Sequence, residues 1–154
     1  MPVKKLKDFL DRHNIKYCTI NHSLAYAAHE VAACAKIPAK QLAKTVIVKI
    51  DKEIAMAVLP ASFKVDLILL QEITGATNVH LATETEFKAL FPECAVGAMP
   101  PFGNLYGMDV FVAETLTENE EIAFNAGSHT ELVKMAYKDF EKLVQPKIMR
   151  FSLH

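Results

Sequence analysis

The sequence predicts an α+β domain in which short helices flank a mixed or antiparallel β-sheet. Two β-branched runs over 42–50 and 53–59 are separated by a two-residue turn, which is typical of a hairpin. Other apolar residues recur at helical spacing in short segments between the strands. The chain has 154 residues, of which 51% are apolar and 23% charged, so we expect a single globular domain over 1–154.

The first half of the chain predicts two helices and three strands. A helix begins after Pro2, where apolar residues recur every third or fourth position. Pro38 ends a short Ala-rich helix, and Pro60 ends the second strand of the hairpin. The predicted elements are a helix over 3–13, a strand over 15–20, a loop over 22–26, a helix over 28–35 and strands over 42–50 and 53–59.

The second half continues with short elements around an irregular segment. Thr83 and Glu86 have the spacing of a capping box and mark a helix start. Residues 97–107 hold two prolines and three glycines, which exclude a continuous helix or a central strand. The predicted elements are a helix over 65–72, a strand over 78–81, a helix over 84–90, a strand over 109–113, an acidic loop over 114–121, strands over 121–125 and 130–135, and a helix over 137–144.

The distribution of charge is uneven. Residues 1–52 carry ten Lys and Arg against four Asp and Glu, although the net charge of the chain is −1. This excess fits either an anionic partner held by one face or ordinary solvated helix surfaces. The overall balance argues against a dedicated high-affinity nucleic-acid binder, whose domain pI usually exceeds about 9.

The cysteines and the apolar runs indicate the compartment. Cys18, Cys34 and Cys94 are far apart and odd in number, as expected for reduced thiols rather than a disulfide framework. No secretory signal and no membrane-spanning apolar run is visible. We therefore expect a cytoplasmic protein without a membrane partner.

Lys44 lies on an apolar strand face. Side chains alternate along a strand, so Lys44 shares its face with Val46, Val48 and Ile50. Burying a lysine costs free energy unless its charge has a partner. The lysine therefore either points into a pocket, where it holds an anion or polarises a carbonyl, or extends from the strand end to water.

Two irregular segments are further candidates. The prolines of Gly97–Gly103 stiffen the loop and fix its remaining amides, which suits oxyanion stabilisation as well as an ordinary structural turn. The turn over 125–129 places His129 where it could orient water, bind a ribose hydroxyl or transfer a proton. A histidine beside a turn is also compatible with a purely structural role.

Other chemistries lack their motifs. The six histidines form no HxH, HExxH or Cys/His cluster with metal spacing, so we expect no metal. There is no GxSxG elbow and no phosphate-binding GxxxxGK[ST] loop. Ser128 and His129 are neighbours on a strand and would point to opposite faces, and Cys34 reads as a small core residue in an Ala-rich helix.

Taken in this order, the segments resemble the YbaK/prolyl-tRNA synthetase-associated editing domain family. The resemblance runs along essentially the whole chain. It is carried by AKTVIVK (43–49), AMAVLPAS (55–62), the GxxxP loop (97–101) with the following Phe-Gly, and EIAFNAGSHTELVKM (121–135). It implies the fold of that family, with the mixed or antiparallel sheet partly closed.

The resemblance also implies a function. Family members, including free-standing trans-editing proteins, hydrolyse aminoacyl-tRNA that carries the wrong small amino acid, often on tRNA for proline. Water attacks the ester with help from a ribose hydroxyl of the substrate, without a protein nucleophile, metal or cofactor. The expected partners are the 3′ end and acceptor stem of aminoacyl-tRNA, which the basic first third would contact, and an aminoacyl-tRNA synthetase.

By the same resemblance, Lys44 interacts near the terminal adenosine and the ester, Gly97 belongs to the loop around the aminoacyl carbonyl, and His129 takes the place of a functional histidine. Ala27 departs from the family, since many relatives have Thr or Ser there. The remaining expected substrate-binding residues are Ala98, Met99, Pro100, Pro101, Asn125, Gly127, Ser128 and Tyr26.

Two other functions stay open at the sequence level. One is a catalytically silent module that recruits tRNA or a synthetase. The other is a hydrolase of small acyl esters with no RNA component, whose activity would persist at high salt. The identity of the amino acid that is removed, among alanine, serine, threonine and cysteine, depends on pocket shape.

Overall fold

A computed structural model describes residues 4–21, 37–92, 94–95, 97–128 and 130–153. The strands are β1 (Tyr17–Asn21), β2 (Leu42–Ile50), β3 (Glu53–Pro60), β4 (Lys64–Val65), β5 (Val79–Leu81), β6 (Val110–Ala113), β7 (Glu121–Asn125), β8 (Glu131–Ala136), β9 (Lys147–Met149) and β10 (Ser152–Leu153). The α-helices are α1 (Lys4–Arg12), α2 (Leu67–Thr74), α3 (Glu84–Phe87) and α4 (Tyr137–Val144). Short 3₁₀ turns lie over Lys88–Leu90, Gly103–Leu105 and Glu114–Glu118. None of the described helices is both long and apolar enough to cross a membrane.

The main sheet is mixed and open. Its strands lie in the order β1-β8-β7-β2-β3-β6-β9, and β5 pairs with part of β2. The β2–β3 hairpin is antiparallel, whereas β2–β7, β3–β6 and β6–β9 are parallel pairs. The predicted α+β class, mixed sheet and flanking short helices are confirmed. The expected partial closure is not found in the described part of the chain, because the path from β1 to β9 does not return on itself.

The two faces of the sheet bury separate apolar clusters. One face, called here the α1 face, packs against α1 and α4 through residues such as Leu10 and Phe140. Phe102 lies at the centre of this cluster, with its ring 5.5 Å from Phe124 and 5.4 Å from Phe140. The other face, called the α2 face, packs against α2 through Leu70 and against the chain end through Phe151. Each β2 side chain therefore lies on one of two distinct surfaces.

One edge of β2 has a gap in its strand pairing. At the start of β2, residues 42–43 pair with β7, and at its end residues 48–50 pair with β5. In the described residues no strand pairs with 44–47 on this edge, although the Ala82 amide donates to the carbonyl of Ile47 at 3.0 Å. Among the described strands, the gap lies between the end of β7 and the end of β5, beside Lys44.

Element boundaries differ from the sequence prediction for local reasons. β1 begins two residues later than expected, because Asn14 has φ of +56° and the Ile15 amide bonds back to Leu10. α2 begins at Leu67, because the Asp66 carboxylate accepts the Leu69 amide at 3.0 Å. The predicted acidic loop contains a 3₁₀ turn over Glu114–Glu118, and β4, β9 and β10 were not predicted. The expected loop over 22–26 and helix over 28–35 lie outside the described residues.

The predicted capping box is present and is linked to β2. Thr83 Oγ1 accepts the Glu86 amide at 3.2 Å, and the Glu86 carboxylate accepts the Thr83 amide at 2.9 Å. Lys49 Nζ donates to the other Glu86 oxygen at 2.9 Å. These hydrogen bonds lower the pKa of Glu86 to about 2, with the Thr83 amide contributing most.

This lowered pKa makes stability depend on pH. Because the folded-state pKa of Glu86 lies below its ordinary value of 4.5, its contribution is present above pH 4.5 and is lost as the pH falls towards 2. We expect Glu86→Gln to be less stable than wild type at pH 7, with the difference shrinking as the pH falls. Urea unfolding of both proteins at several pH values measures this. A difference independent of pH would contradict it.

Gly103 has no room for a side chain. A Cβ there would lie 2.6 Å from Val110 Cγ2 and 2.8 Å from the backbone oxygen of Met108. Overpacking of this kind typically costs about 1–3 kcal/mol. We therefore expect Gly103→Ala to lower the free energy of unfolding by about that amount. Denaturant melts give the value, and an unchanged midpoint would show that the backbone yields without cost.

Candidate active site

Lys44 is half-buried near the start of β2. It pairs across the hairpin with the fully buried Leu59, so its side chain shares the α2 face with Val46, as the alternation of the strand predicts. Within the described residues its ammonium forms no ion pair or hydrogen bond. An uncompensated cation at this depth is costly for folding, which favours a role for its charge.

A second lysine acts on Lys44 electrostatically. Burial lowers the pKa of the Lys44 ammonium below its usual 10.5, and the nearby charge of Lys64 lowers it further. Lys64 is an exposed residue of β4, and it too has no ion pair in the described part of the chain. Sequence reasoning missed Lys64, because only the fold brings β4 near the start of β2. Two neighbouring cations that form no ion pair with the described residues create a local positive potential.

Asn125 continues the same surface on the neighbouring strand. β2 and β7 are parallel with Ala43 aligned to Phe124, so Lys44 and Asn125 are the next residues along the two strands and lie side by side on the α2 face. The Asn125 Oδ1 atom is buried and accepts no hydrogen bond from the residues that the structure describes. An unsatisfied buried acceptor costs about 1–3 kcal/mol, so it marks a place where a donor from a ligand would be stabilised.

The GxxxP loop lies directly against the turn between β7 and β8. The Gly127 amide donates to the Ala98 carbonyl at 2.9 Å, and the Ala95 amide donates to the Gly127 carbonyl at 2.8 Å. The Ala98 amide donates to Ala95 at 3.0 Å and closes the loop on itself. Two segments that are about thirty residues apart in sequence are thus joined beside the end of β7.

Two glycines make this junction. Gly97 has φ of +86° and Gly127 has φ of +100°, a region that L side chains rarely adopt. Gly127 is also buried, whereas Gly97 is exposed. Both glycines are therefore required by backbone conformation at the two sides of the contact.

The backbone N–H groups of the GxxxP loop differ in whether they are free to donate a hydrogen bond to a ligand. The Ala98 N–H is already used inside the loop, and Pro100 and Pro101 have none. In the described residues the N–H groups of Gly97 and Met99 donate to no other group. The Ala98, Met99, Pro100 and Pro101 side chains are buried, so the loop presents backbone rather than side chains.

Of the other residues predicted for the site, the structure describes Ser128 but not His129 or Tyr26. The half-buried Ser128 lies with its hydroxyl 3.3 Å from that of Thr130, within the turn itself. His129 and Tyr26 lie outside the described residues, so their predicted roles stay predictions. The structure brings together Lys44, Asn125 and the Gly127 turn with its bound loop.

This arrangement suits an anionic substrate with a polar, neutral reacting group. The lysines can stabilise negative charge, the Asn125 oxygen can accept a hydrogen bond from a ligand, and the amides of Gly97 and Met99 can donate to a carbonyl oxygen on which charge develops. A phosphodiester joined to an ester and hydroxyl groups has these features. The described residues contain no group of three His, Cys, Asp or Glu side chains placed to hold a metal ion.

Comparison with known proteins identifies the class. Residues 22–143 match the model of the aminoacyl-tRNA editing domain family. The Ser/Thr-tRNA deacylase ProXp-y of Escherichia coli K12 is 26% identical over 96% of this chain and 91% of its own length. A proline–tRNA ligase of Bacillus cereus is 30% identical over 50% of this chain but only 13% of its own length.

Solved structures show the same fold. A protein described as a candidate trans-editing enzyme for prolyl-tRNA synthetase superposes with a TM-score of 0.84 over 99% of this chain and 97% of its own, at 18% identity. The hypothetical protein APE2540 gives a TM-score of 0.87 over 97% and 100%, at 17% identity. These likenesses show the fold of the chain. The chain belongs to the aminoacyl-tRNA editing domain family.

Proposed function

We propose that this protein is an aminoacyl-tRNA deacylase that cleaves the ester of mischarged tRNA carrying a small amino acid. The observation that carries the proposal is the half-buried Lys44 cation, which has no partner among the described residues, beside the Asn125 oxygen. Family membership and the likeness to a Ser/Thr-tRNA deacylase support the same reaction. The whole chain, 1–154, acts as one editing domain.

In this proposal the substrate supplies part of its own catalysis. Lys44 binds the tRNA end and orients the ester, and Lys64 adds to the positive potential there. The amides of Gly97 and Met99 lie at the aminoacyl carbonyl, where they stabilise the developing oxyanion. Asn125 accepts from the α-ammonium group or a ribose hydroxyl, and His129 helps to fix the ribose or the water.

The attacking group is water, assisted by the neighbouring ribose hydroxyl. Neither a serine nor a cysteine nucleophile is paired with a base in the sequence motifs, and Cys94 is half-buried beside the Tyr106 hydroxyl at 3.7 Å. The reaction runs without a metal in this mechanism. The expected setting is the cytoplasm, where charged tRNA is used, with a synthetase as a further partner that supplies tRNA affinity.

Deacylation of a panel of charged tRNAs tests the proposal. We expect hydrolysis of tRNA carrying one or two of Ala, Ser, Thr and Cys, with Ser and Thr the first to test given the likeness to ProXp-y. Correctly charged prolyl-tRNA should persist, and EDTA should leave the rate unchanged. Rates equal to spontaneous hydrolysis for every amino acid, across several tRNAs, would overturn the proposal in favour of a binding module.

A further inference from the structure

The gap in the pairing of β2 holds main-chain groups that no described strand uses. Backbone groups of alternate residues in a strand point to the same edge. The Ile47 carbonyl accepts the Ala82 amide on the gap side of β2, whereas the Leu42 carbonyl accepts the Ala61 amide on the β3 side. The N–H and C=O of Thr45, two residues before Ile47, therefore both point into the gap. Among the described residues no strand pairs with them there.

The gap has room for about one residue. β7 follows β2 only as far as the pair of Ala43 with Phe124, and its chain then turns through Gly127 at φ of +100°. At the other end, the Ala82 amide occupies the carbonyl of Ile47. Ala43 and Ile47 are separated by roughly 13 Å of strand. A peptide strand of a partner protein would overlap β7 or Ala82, so the gap suits a single residue.

The two Thr45 groups match the main chain of an α-amino acid. In an antiparallel ladder, two opposed residues exchange both of their N–H···O=C bonds. An aminoacyl ester has an ammonium donor and a carbonyl acceptor on either side of its α-carbon, as a strand residue does. Its carbonyl can therefore accept from the Thr45 N–H while its ammonium donates to the Thr45 C=O. Because these bonds involve no side chain, they recognise any α-amino acid and leave the choice among amino acids to other residues.

The residues around the gap agree with this occupant. Lys44 directly precedes Thr45, and Asn125 lies at the β7 end of the gap. An ester held at Thr45 is therefore next to the lysine that is proposed to orient it. The Thr45 side chain points away from Lys44, since Thr45 pairs with Val58, a buried residue of the α1 face. Binding at this edge thus uses the main chain of Thr45 and not its hydroxyl.

We propose that the β2 edge at Thr45 binds the aminoacyl group by main-chain pairing, with the Thr45 N–H at the ester carbonyl and the Thr45 C=O at the α-ammonium group. The inference rests on the proposed function, since it concerns the same substrate. It adds a third main-chain donor to the amides of Gly97 and Met99. It also makes the free α-ammonium group a requirement for tight binding, whichever amino acid the ester carries.

Backbone variants probe this edge. The Thr45 amide-to-ester variant, made by incorporating the α-hydroxy acid of threonine, replaces the N–H by oxygen and keeps the side chain. The matched control is the same change at Ile54 of β3. The Met56 amide donates to Asp109 on the β6 side, so the Ile54 N–H points to that edge too, before the first β3–β6 pair. Thr45→Val controls for the hydroxyl, and circular dichroism verifies that all three proteins fold.

The first readout is the affinity for an aminoacyl group that cannot be released. The probes are the seryl and alanyl amides of 3′-amino-3′-deoxyadenosine, measured by calorimetry. Loss of one hydrogen bond corresponds to about 2- to 13-fold weaker binding, so we expect at least this loss in the Thr45 amide-to-ester variant. The Ile54 ester variant and Thr45→Val should bind as wild type does. Equal binding by wild type and the Thr45 ester variant, or no binding of either probe to wild type, would overturn the inference.

The second readout concerns the Thr45 carbonyl. We expect wild type to bind a probe about 10- to 150-fold more tightly than its counterpart without the α-ammonium group, because hydrogen bonds to charged groups are the stronger ones. An ester at Val46 weakens the Thr45 carbonyl as an acceptor, and an ester at Val48 weakens that of Ile47, which Ala82 occupies. The preference should fall in the Val46 variant and not in the Val48 variant. The same preference in both variants and wild type would overturn the pairing.

Hydrolysis separates the inference from the proposed function. Probe binding that depends on the Thr45 N–H, without hydrolysis of any charged tRNA, would overturn the proposed function and support the inference. Hydrolysis by the Thr45 amide-to-ester variant at the kcat/KM of wild type would support the proposed function and overturn the inference.

Discussion

Lys44→Ala is expected to lower deacylation of charged tRNA by at least about a hundredfold, the effect typical of losing one positioning or charge-stabilising group. The reason is that Lys44 is a half-buried cation on the α2 face beside Asn125, and no residue in the described part of the chain pairs with its charge. Single-turnover rates with saturating enzyme measure the loss. Activity within about twofold of wild type would remove Lys44 from the mechanism.

Although replacing Lys44 should lower activity, it should leave the stability of the protein unchanged or raise it. Burial lowers the pKa of Lys44, so the charged form is unfavourable in the folded protein and its removal relieves that cost. We expect Lys44→Met to melt at the same temperature as wild type or higher while remaining inactive. A clear fall in Tm would indicate that Lys44 supports the fold instead.

The matched control is Lys49→Ala, five residues along the same strand and on the α1 face. Lys49 donates to Glu86 at 2.9 Å, so this change removes an ion pair away from the site. It should cost stability and leave deacylation close to wild type. An equal loss of activity in Lys44→Ala and Lys49→Ala would mean that β2 is merely being disturbed.

Gly127→Ala has the second largest expected effect. Gly127 is buried at φ of +100° and holds the GxxxP loop through its own amide and carbonyl. Forcing a side chain into this backbone conformation costs about 1–3 kcal/mol, which shifts or releases the loop. We expect kcat/KM to fall on the order of 10- to 100-fold, since a displacement of about 1 Å has that effect.

Gly75→Ala is the control that separates the effect of backbone strain on stability from an effect on deacylation. Gly75 ends α2 with φ of +72°, and a Cβ there would meet nothing within 4 Å. The substitution should therefore cost about 1 kcal/mol of stability through the left-handed backbone alone. Deacylation by Gly75→Ala should match wild type. If Gly75→Ala and Gly127→Ala lose the same activity per unit of lost stability, the loop junction has no special role.

Much of the fold could be predicted because its signals are local. The β2–β3 hairpin follows from β-branched alternation and two turn residues, and Asp51 adopts φ of +56° at that turn. The capping box of Thr83 and Glu86 forms as its spacing predicts. The strands β4, β9 and β10 have two or three residues each, too short for alternation to be read, and they form because the fold supplies partners.

The sequence predicted several residues of the candidate site, whereas the contacts between them depend on the fold. The residue types at 44, 97–101 and 125–129 carried a resemblance, and the alternation of β2 gave the face of Lys44. The bonds between Ala98 and Gly127, the closeness of Lys64 and the unsatisfied oxygen of Asn125 all depend on contacts between distant segments. No local pattern contains that information.

The lysines of residues 1–52 lie on both faces of the sheet, which composition did not predict. Lys5 and the other α1 lysines lie on the α1 face, whereas Lys44 lies on the α2 face. Among the described residues, the lysines of 1–52 therefore do not all lie on one face of the sheet. Under the proposed function, the α1 lysines would contact tRNA away from the ester and Lys44 would contact its end.

The most direct test is the release of amino acid from tRNA charged with Ala, Ser, Thr or Cys by wild type and Lys44→Ala, each compared with spontaneous hydrolysis. We expect wild type to release at least one of these amino acids well above the spontaneous rate, and a folded Lys44→Ala protein to release it at the spontaneous rate. Hydrolysis by Lys44→Ala as fast as by wild type would contradict it.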